Sequence, residues 1–211
     1  MPHLVLIGDS IFDNGAYTDG DPSVVEQVSS MLSTQWQTTL GAIDGSTTQD
    51  IAAQLADLPE DTSHLVLSVG GNNALLRADV LEAPVSSSGE ALLLLGNAAA
   101  EFEASYRSML ALCLKVGVPL VVCTIYHGNF PDPSYRACVA VALCAFNDAI
   151  IRVASEHALK VIDLRRICVD AADYANPIEP SSRGGKKIAA AIARAITEEP
   201  LVCRGACVVA G

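Results

Sequence analysis

Ser10 is the first residue in the chain whose type and setting suit covalent chemistry. It ends the stretch Leu4-Val5-Leu6-Ile7-Gly8-Asp9-Ser10, in which four consecutive apolar residues run into a Gly-Asp turn. Such a run reads as a central strand of a parallel sheet, buried on both faces. In open α/β sheets ligands bind beyond the carboxyl ends of the strands, so the turn that stops this strand offers the Ser10 hydroxyl to a substrate as a nucleophile. Taken alone, Gly-Asp-Ser is also an ordinary loop tripeptide, because Gly allows unusual backbone angles and Asp and Ser make local hydrogen bonds. Two more turns of the same kind follow. Asp44-Gly45-Ser46 closes a strand at 36–43, and Thr47 with Asp50 has the spacing of a capping box, so Gly45 serves as a turn glycine, as an amide at a helix amino terminus, or as both. Gly70-Gly71-Asn72-Asn73 closes a strand at 64–69, where Asn72 or Asn73 either caps the next helix or turns its amide toward the same sheet edge. A fourth strand at 118–125 runs into the loop 126–131, which brings His127 to that edge.

The elements that must carry these residues alternate. Apolar residues at helical spacing predict helices at 23–32, 48–55, 91–116, 134–155 and 181–197, the third of them interrupted at Gly96 and readable as two pieces. A short fifth strand is expected at 160–163. Strand and helix in alternation predict a single α/β domain, residues 1–211, with helices packed on a mostly parallel five-stranded sheet. Residues 200–211 are small and apolar and read as an edge strand, a packed tail or a disordered end.

Composition narrows the partners. The 24 acidic and 13 basic residues give a formal charge of -11, which repels a phosphate backbone and argues against nucleic acid or anionic membrane as partner. No uninterrupted apolar run reaches the ~20 residues of a membrane span, and no basic leader with a small-residue cleavage site precedes the first strand, so a soluble, cytoplasmic protein is expected. Seven cysteines without a C-x-x-C pair read mostly as small buried hydrophobes, with Cys203 and Cys207 alone spaced to pair or to bind metal. No metal and no cofactor is expected.

Three glycine-bearing turns carrying Ser10, Gly45 and Asn72 together resemble the SGNH hydrolases, also called GDSL esterases and lipases. The resemblance covers nearly the whole chain, because the family's last block, Asp-x-x-His-Pro-Ser-x-x-Gly, is matched by Asn176-Pro177-Ile178-Glu179-Pro180-Ser181-Ser182-Arg183-Gly184. It implies a three-layer α/β/α, flavodoxin-like fold and an esterase in which Ser10 attacks an acyl carbonyl. The oxyanion would be held by the backbone N–H groups of Ser10 and Gly45 and the side-chain amide of Asn72. Two positions depart from the pattern: Glu179 stands where the family has its base histidine, and Asn176 where it has the orienting aspartate. Asn73 also replaces the aspartate usual after the block asparagine.

A serine hydroxyl needs an adjacent base. Glu179 is the first candidate, although an ordinary glutamate is about 2 pKa units less basic than histidine, a handicap of about 3 kcal/mol in proton transfer. Burial would raise its basicity, whereas a helix amino terminus and a hydrogen bond donated by Asn176 would lower it. His127 is the alternative base, with the better intrinsic pKa. The expected activity is hydrolysis of small or short-chain carboxylic esters. A carboxylate- or acyl-binding module without turnover is the reading from a different class. Oligomeric state is not legible.

Overall fold

The computed structural model describes residues 1–198 and, for the backbone alone, residues 207–209. Five strands form within the predicted segments: β1 His3–Gly8, β2 Gln37–Leu40, β3 His64–Ser68, β4 Leu120–Cys123 and β5 Lys160–Ile162. All pair in parallel, and a sixth strand, β6 Cys207–Val209, adds to β5, giving the order β2-β1-β3-β4-β5-β6. Of the three readings of the tail, its strand is the one realised at 207–209. The remainder, with Cys203, lies outside the described residues.

The sheet is covered on both faces, which is why its inner strands β1, β3 and β4 are almost continuously apolar, whereas the edge strand β2, Gln-Thr-Thr-Leu, is only partly buried. Along β1, Val5 and Ile7 face a core built with α2 Ile51–Ala56, α4 Ser88–Lys115 and α5 Pro133–Glu156. Leu4 and Leu6 face the other core, built with α1 Val24–Met31 and α6 Ser182–Thr197. The result is a three-layer α/β/α domain.

Several details depart from the sequence expectations. β2 stops at Leu40, because the amides of Gly41 and Ala42 both turn to the carbonyl of Leu6 and lead the chain off the sheet toward Gly45. Thr47 donates its amide and hydroxyl to the Asp50 carboxylate as the capping-box spacing suggests, yet α2 begins only at Ile51. The α4 helix is unbroken across Gly96, where a side chain would meet nothing within 4 Å, so glycine there costs propensity without forcing a kink. A short helix α3, Gly71–Leu75, and a 3₁₀ turn, Ala78–Leu81, follow β3 and have no periodicity to betray them.

Helix α5 meets the length and composition of a membrane span, contrary to the expectation from uninterrupted apolar runs, with a mean hydropathy of 1.8 over its most apolar window. Its Phe146, Ile150 and Val153 nevertheless sit in the core between the sheet and α4. Of the cysteines, Cys113, Cys123 and Cys168 are buried as expected, whereas Cys138 and Cys144 lie exposed on α5.

Candidate active site

The first turn is fixed by Gly8. Its φ is +137°, and a Cβ there would fall 1.8 Å from the carbonyl oxygen of Ser68, so only glycine lets β1 end this close to β3. Buried Gln54 on α2 clamps the same residue from the side: its Oε1 accepts from the Gly8 amide at 2.8 Å, and its Nε2 donates to the Gly8 carbonyl at 2.8 Å and to Ser46 Oγ at 3.1 Å. This residue has no signature in the sequence, since a glutamine on a short helix reads as a surface residue. Ser10 then follows, only 6% exposed, in the wall of a cavity that Asn72 and Glu179 also line.

The second and third turns meet beside it. Gly45 takes a φ of +79°, as a turn glycine requires. Asn72 does not cap α3; its side-chain amide donates to the carbonyl of Ser46 at 2.9 Å, which ties the Gly45 turn to the end of β3 and leaves the second N–H of that amide for another acceptor. Asn73 binds the same neighbourhood, accepting from the Thr48 amide and donating to the Thr48 hydroxyl, both at 3.0 Å. Among the described residues, the backbone N–H groups of Ser10 and Gly45 donate to no protein group. Asn72 lines the cavity with Ser10; Gly45 is exposed and adjoins it through Ser46, whose carbonyl accepts from Asn72.

Glu179 reaches the cavity on a loop held at many points. The Asn176 side-chain oxygen accepts from the amides of Ile178 and Glu179, both at 2.9 Å, so the hydrogen bonds given to Asn176 run to the backbone of this loop and not to the Glu179 carboxylate. Buried Asn14 donates to the Pro180 carbonyl, the Tyr126 hydroxyl to the Ile178 carbonyl, and the Asn129 amide to the Pro177 carbonyl at 2.7 Å. Gly128 permits that last approach, since a Cβ there would stand 2.7 Å from the Pro177 oxygen.

The carboxylate so placed is 5% exposed and lies close enough to the Ser10 hydroxyl for that hydroxyl to favour its charged form, while its Oε2 has no protein partner among the described residues. Burial raises its pKa above the ordinary glutamate value, the Ser10 hydroxyl opposes the rise, and the negative charge of Asp44 adds to it. Of the influences weighed from sequence, burial therefore prevails. His127 lines the same cavity, half-buried, and desolvation together with the Arg165 guanidinium lowers its pKa. Sequence reasoning missed Asp9. It is 3% exposed, it lies in the cavity wall, and its Oδ1 accepts from the Ile11 amide at 3.2 Å. Burial, reinforced by the charges of Glu179 and Asp44, pushes its pKa up to about 7. The signal for it was in the motif itself, a carboxylate placed between a buried strand and the turn.

Ser10, Asn72, His127 and Glu179 thus come together from four separate segments, at the carboxyl edge where β1 turns back to β2 on one side and passes to β3 on the other. A model of the GDSL-like lipase/acylhydrolase family matches residues 6–186, which include all four. The chain belongs to this family of hydrolases. Its structure is similar to that of phospholipase A1 from Streptomyces albidoflavus NA297, with a TM-score of 0.65 at 17% identity over 88% of this chain and 95% of that one. It is similar as well to Axe2, an acetylxylan esterase from Geobacillus stearothermophilus, with a TM-score of 0.63 at 21% identity over 94% and 95% of the two chains. A lipolytic G-D-S-L family protein from Veillonella parvula DSM 2008 gives 0.65 at 16% identity over 93% and 98%. At these identities the likeness is one of fold. No curated protein sequence matches the chain.

Proposed function

We propose that this GDSL-family hydrolase is a serine esterase in which Ser10 is the nucleophile and Glu179 its general base. The observation that carries the reading is that a buried Glu179 carboxylate and the buried Ser10 hydroxyl share the wall of one cavity, with the pKa of Glu179 raised by its burial. A carboxylate lifted in pKa is a stronger proton acceptor, which offsets part of the handicap of glutamate against histidine.

In the acylation step the Ser10 proton passes to Glu179 as the serine oxygen bonds to the ester carbonyl carbon. The carbonyl oxygen becomes an oxyanion, within reach of the N–H groups of Ser10 and Gly45 and the side-chain amide of Asn72. Donors of this kind are each worth roughly 3 to 4 kcal/mol in acyl transfer. Collapse of the intermediate breaks the bond to the alcohol oxygen, which takes the proton back from Glu179. Water then enters, gives a proton to Glu179, and attacks the acyl-enzyme. The carboxylic acid leaves, and the proton returns to Ser10. Asn176 supports this as a positioning residue, through the backbone of the loop that bears Glu179.

The test is hydrolysis of aryl esters by wild type, Ser10→Ala, Glu179→Gln and His127→Ala. Loss of activity in the first two variants and its retention in the third is expected. Retention in Glu179→Gln with loss in His127→Ala would move the base to the loop after β4.

A further inference from the structure

The cavity that begins at Ser10 does not end there. From the reacting edge it continues between the amino-terminal halves of α4 and α5. Tyr135, Val139, Leu143 and Phe146 recur on one face of α5, and Leu95 and Ala98 on the facing side of α4. The 3₁₀ turn after α3 closes it with Val80 and Leu81. Phe146 belongs at once to this wall and to the core, where it is backed by Phe102 with ring centroids 5.1 Å apart. The wall is therefore firm at its base and mostly apolar along its length; apart from Arg77 beside the closing turn, whose guanidinium pairs with Glu101 on α4, and the Tyr135 ring, its polar side chains come from the segments around Ser10. An acetyl group requires space for one methyl beyond the carbonyl carbon. From Tyr135 to Phe146 the α5 face alone covers about 16 Å of helix axis, far more than that methyl uses.

Resting on the esterase reading, we propose that the α4–α5 cleft houses a linear, unbranched acyl chain of roughly six to ten carbons, so that the substrates are medium-chain acyl esters and not the short-chain esters expected from sequence. The carbonyl then lies at Ser10 and Asn72, the chain runs along the α5 face, and the alcohol half leaves toward solvent. Ala142, which lines the cleft beside Leu143, is the position at which a larger side chain fills it.

Each methylene moved from water into such a cleft is worth about fourfold in kcat/KM. The aryl octanoate should accordingly be hydrolysed with a kcat/KM at least about 100-fold above that of the aryl acetate, even with part of the chain left exposed. Ala142→Phe should lower the octanoate-to-acetate ratio by about tenfold or more. A wild-type preference for acetate, or a ratio left unmoved by Ala142→Phe, would overturn the proposal while leaving the esterase reading standing. Calorimetry with octanoate on Ser10→Ala protein separates the two ideas. Binding of octanoate but not of acetate, weakened by adding Ala142→Phe, supports the cleft even if wild type turned over no ester. Absence of octanoate binding in that protein would overturn it whatever the fate of the hydrolase reading.

Discussion

At the scale of single residues, two buried carboxyl groups flank Ser10 and their protonation sets what the site can do. On the proposed mechanism Glu179 must be ionised to accept the serine proton, and its pKa is raised, so kcat/KM should fall as pH drops through a midpoint above the ordinary glutamate value. Glu179→Gln keeps the shape and removes the base; kcat/KM should fall about 100-fold or more, measured at a pH on the plateau of the wild-type profile. Asp9 makes a separate, thermodynamic prediction. Its folded pKa of about 7 exceeds the 3.8 of an unperturbed aspartate, so between those values the folded state holds a proton that the unfolded state has lost. Stability must therefore decline as pH rises through this window, by up to about 1.4 kcal/mol per unit, and the loss is complete above pH 7. Asp9→Asn, which retains an acceptor for the Ile11 amide, should be more stable than wild type at pH 8 and equal to it near pH 4, as read from urea midpoints. That Ser10 and Asn72 share one sheet edge was legible because each follows an apolar run at a glycine turn. Asp9 was not, because sequence shows adjacency and not the depth at which a side chain lies.

At the scale of elements, the site depends on buried amides that lock strand ends to helices. Gln54 satisfies both backbone groups of Gly8, and Asn147 on α5 does the same for Ile125, accepting from its amide at 2.7 Å and donating to its carbonyl at 2.8 Å. These two side chains fix where β1 and β4 stop, and hence the level of Ser10 and of the loop that carries His127. Gln54→Leu should leave the Gly8 amide buried without its partner, costing roughly 1 to 3 kcal/mol, while the Gly8 carbonyl keeps the Ile43 amide. The denaturant midpoint should drop accordingly. Activity should fall further than the unfolded fraction explains, since the Gly8 turn sets the Ser10 backbone. Neither amide could be picked out beforehand: polar residues on helices are solvated by default, and only the assembled layers reveal which of them is enclosed. The inner strands, by contrast, were readable to within a few residues, because strands covered on both faces need apolar residues at nearly every position; β2, polar at three of its four positions, was readable mainly from the glycine turn that follows it.

At the scale of the whole molecule, the two cores have different duties. The layer of α1 and α6 packs against the side of the sheet away from the α4–α5 cleft; the layer of α4 and α5 is both core and cavity wall, with Phe146 common to the two. A truncation on one side should therefore be felt as stability alone, and on the other as stability together with substrate binding. Ile192 on α6 is fully buried in the first layer. Ile192→Ala should cost about 2 to 5 kcal/mol and leave kcat/KM near the wild-type value at temperatures where the variant is folded. Phe146→Ala should cost about 3 to 5 kcal/mol, a comparable penalty, and should in addition raise KM for acyl esters, because the same ring closes the base of the cleft. Measured side by side in thermal denaturation and initial rates, equal kinetic effects from the two variants would mean that the layers are not separable in this way. A kinetic change confined to Phe146→Ala would tie the open upper part of the α4–α5 core to substrate binding, and would explain why a helix as apolar as α5 keeps part of its buried face unfilled.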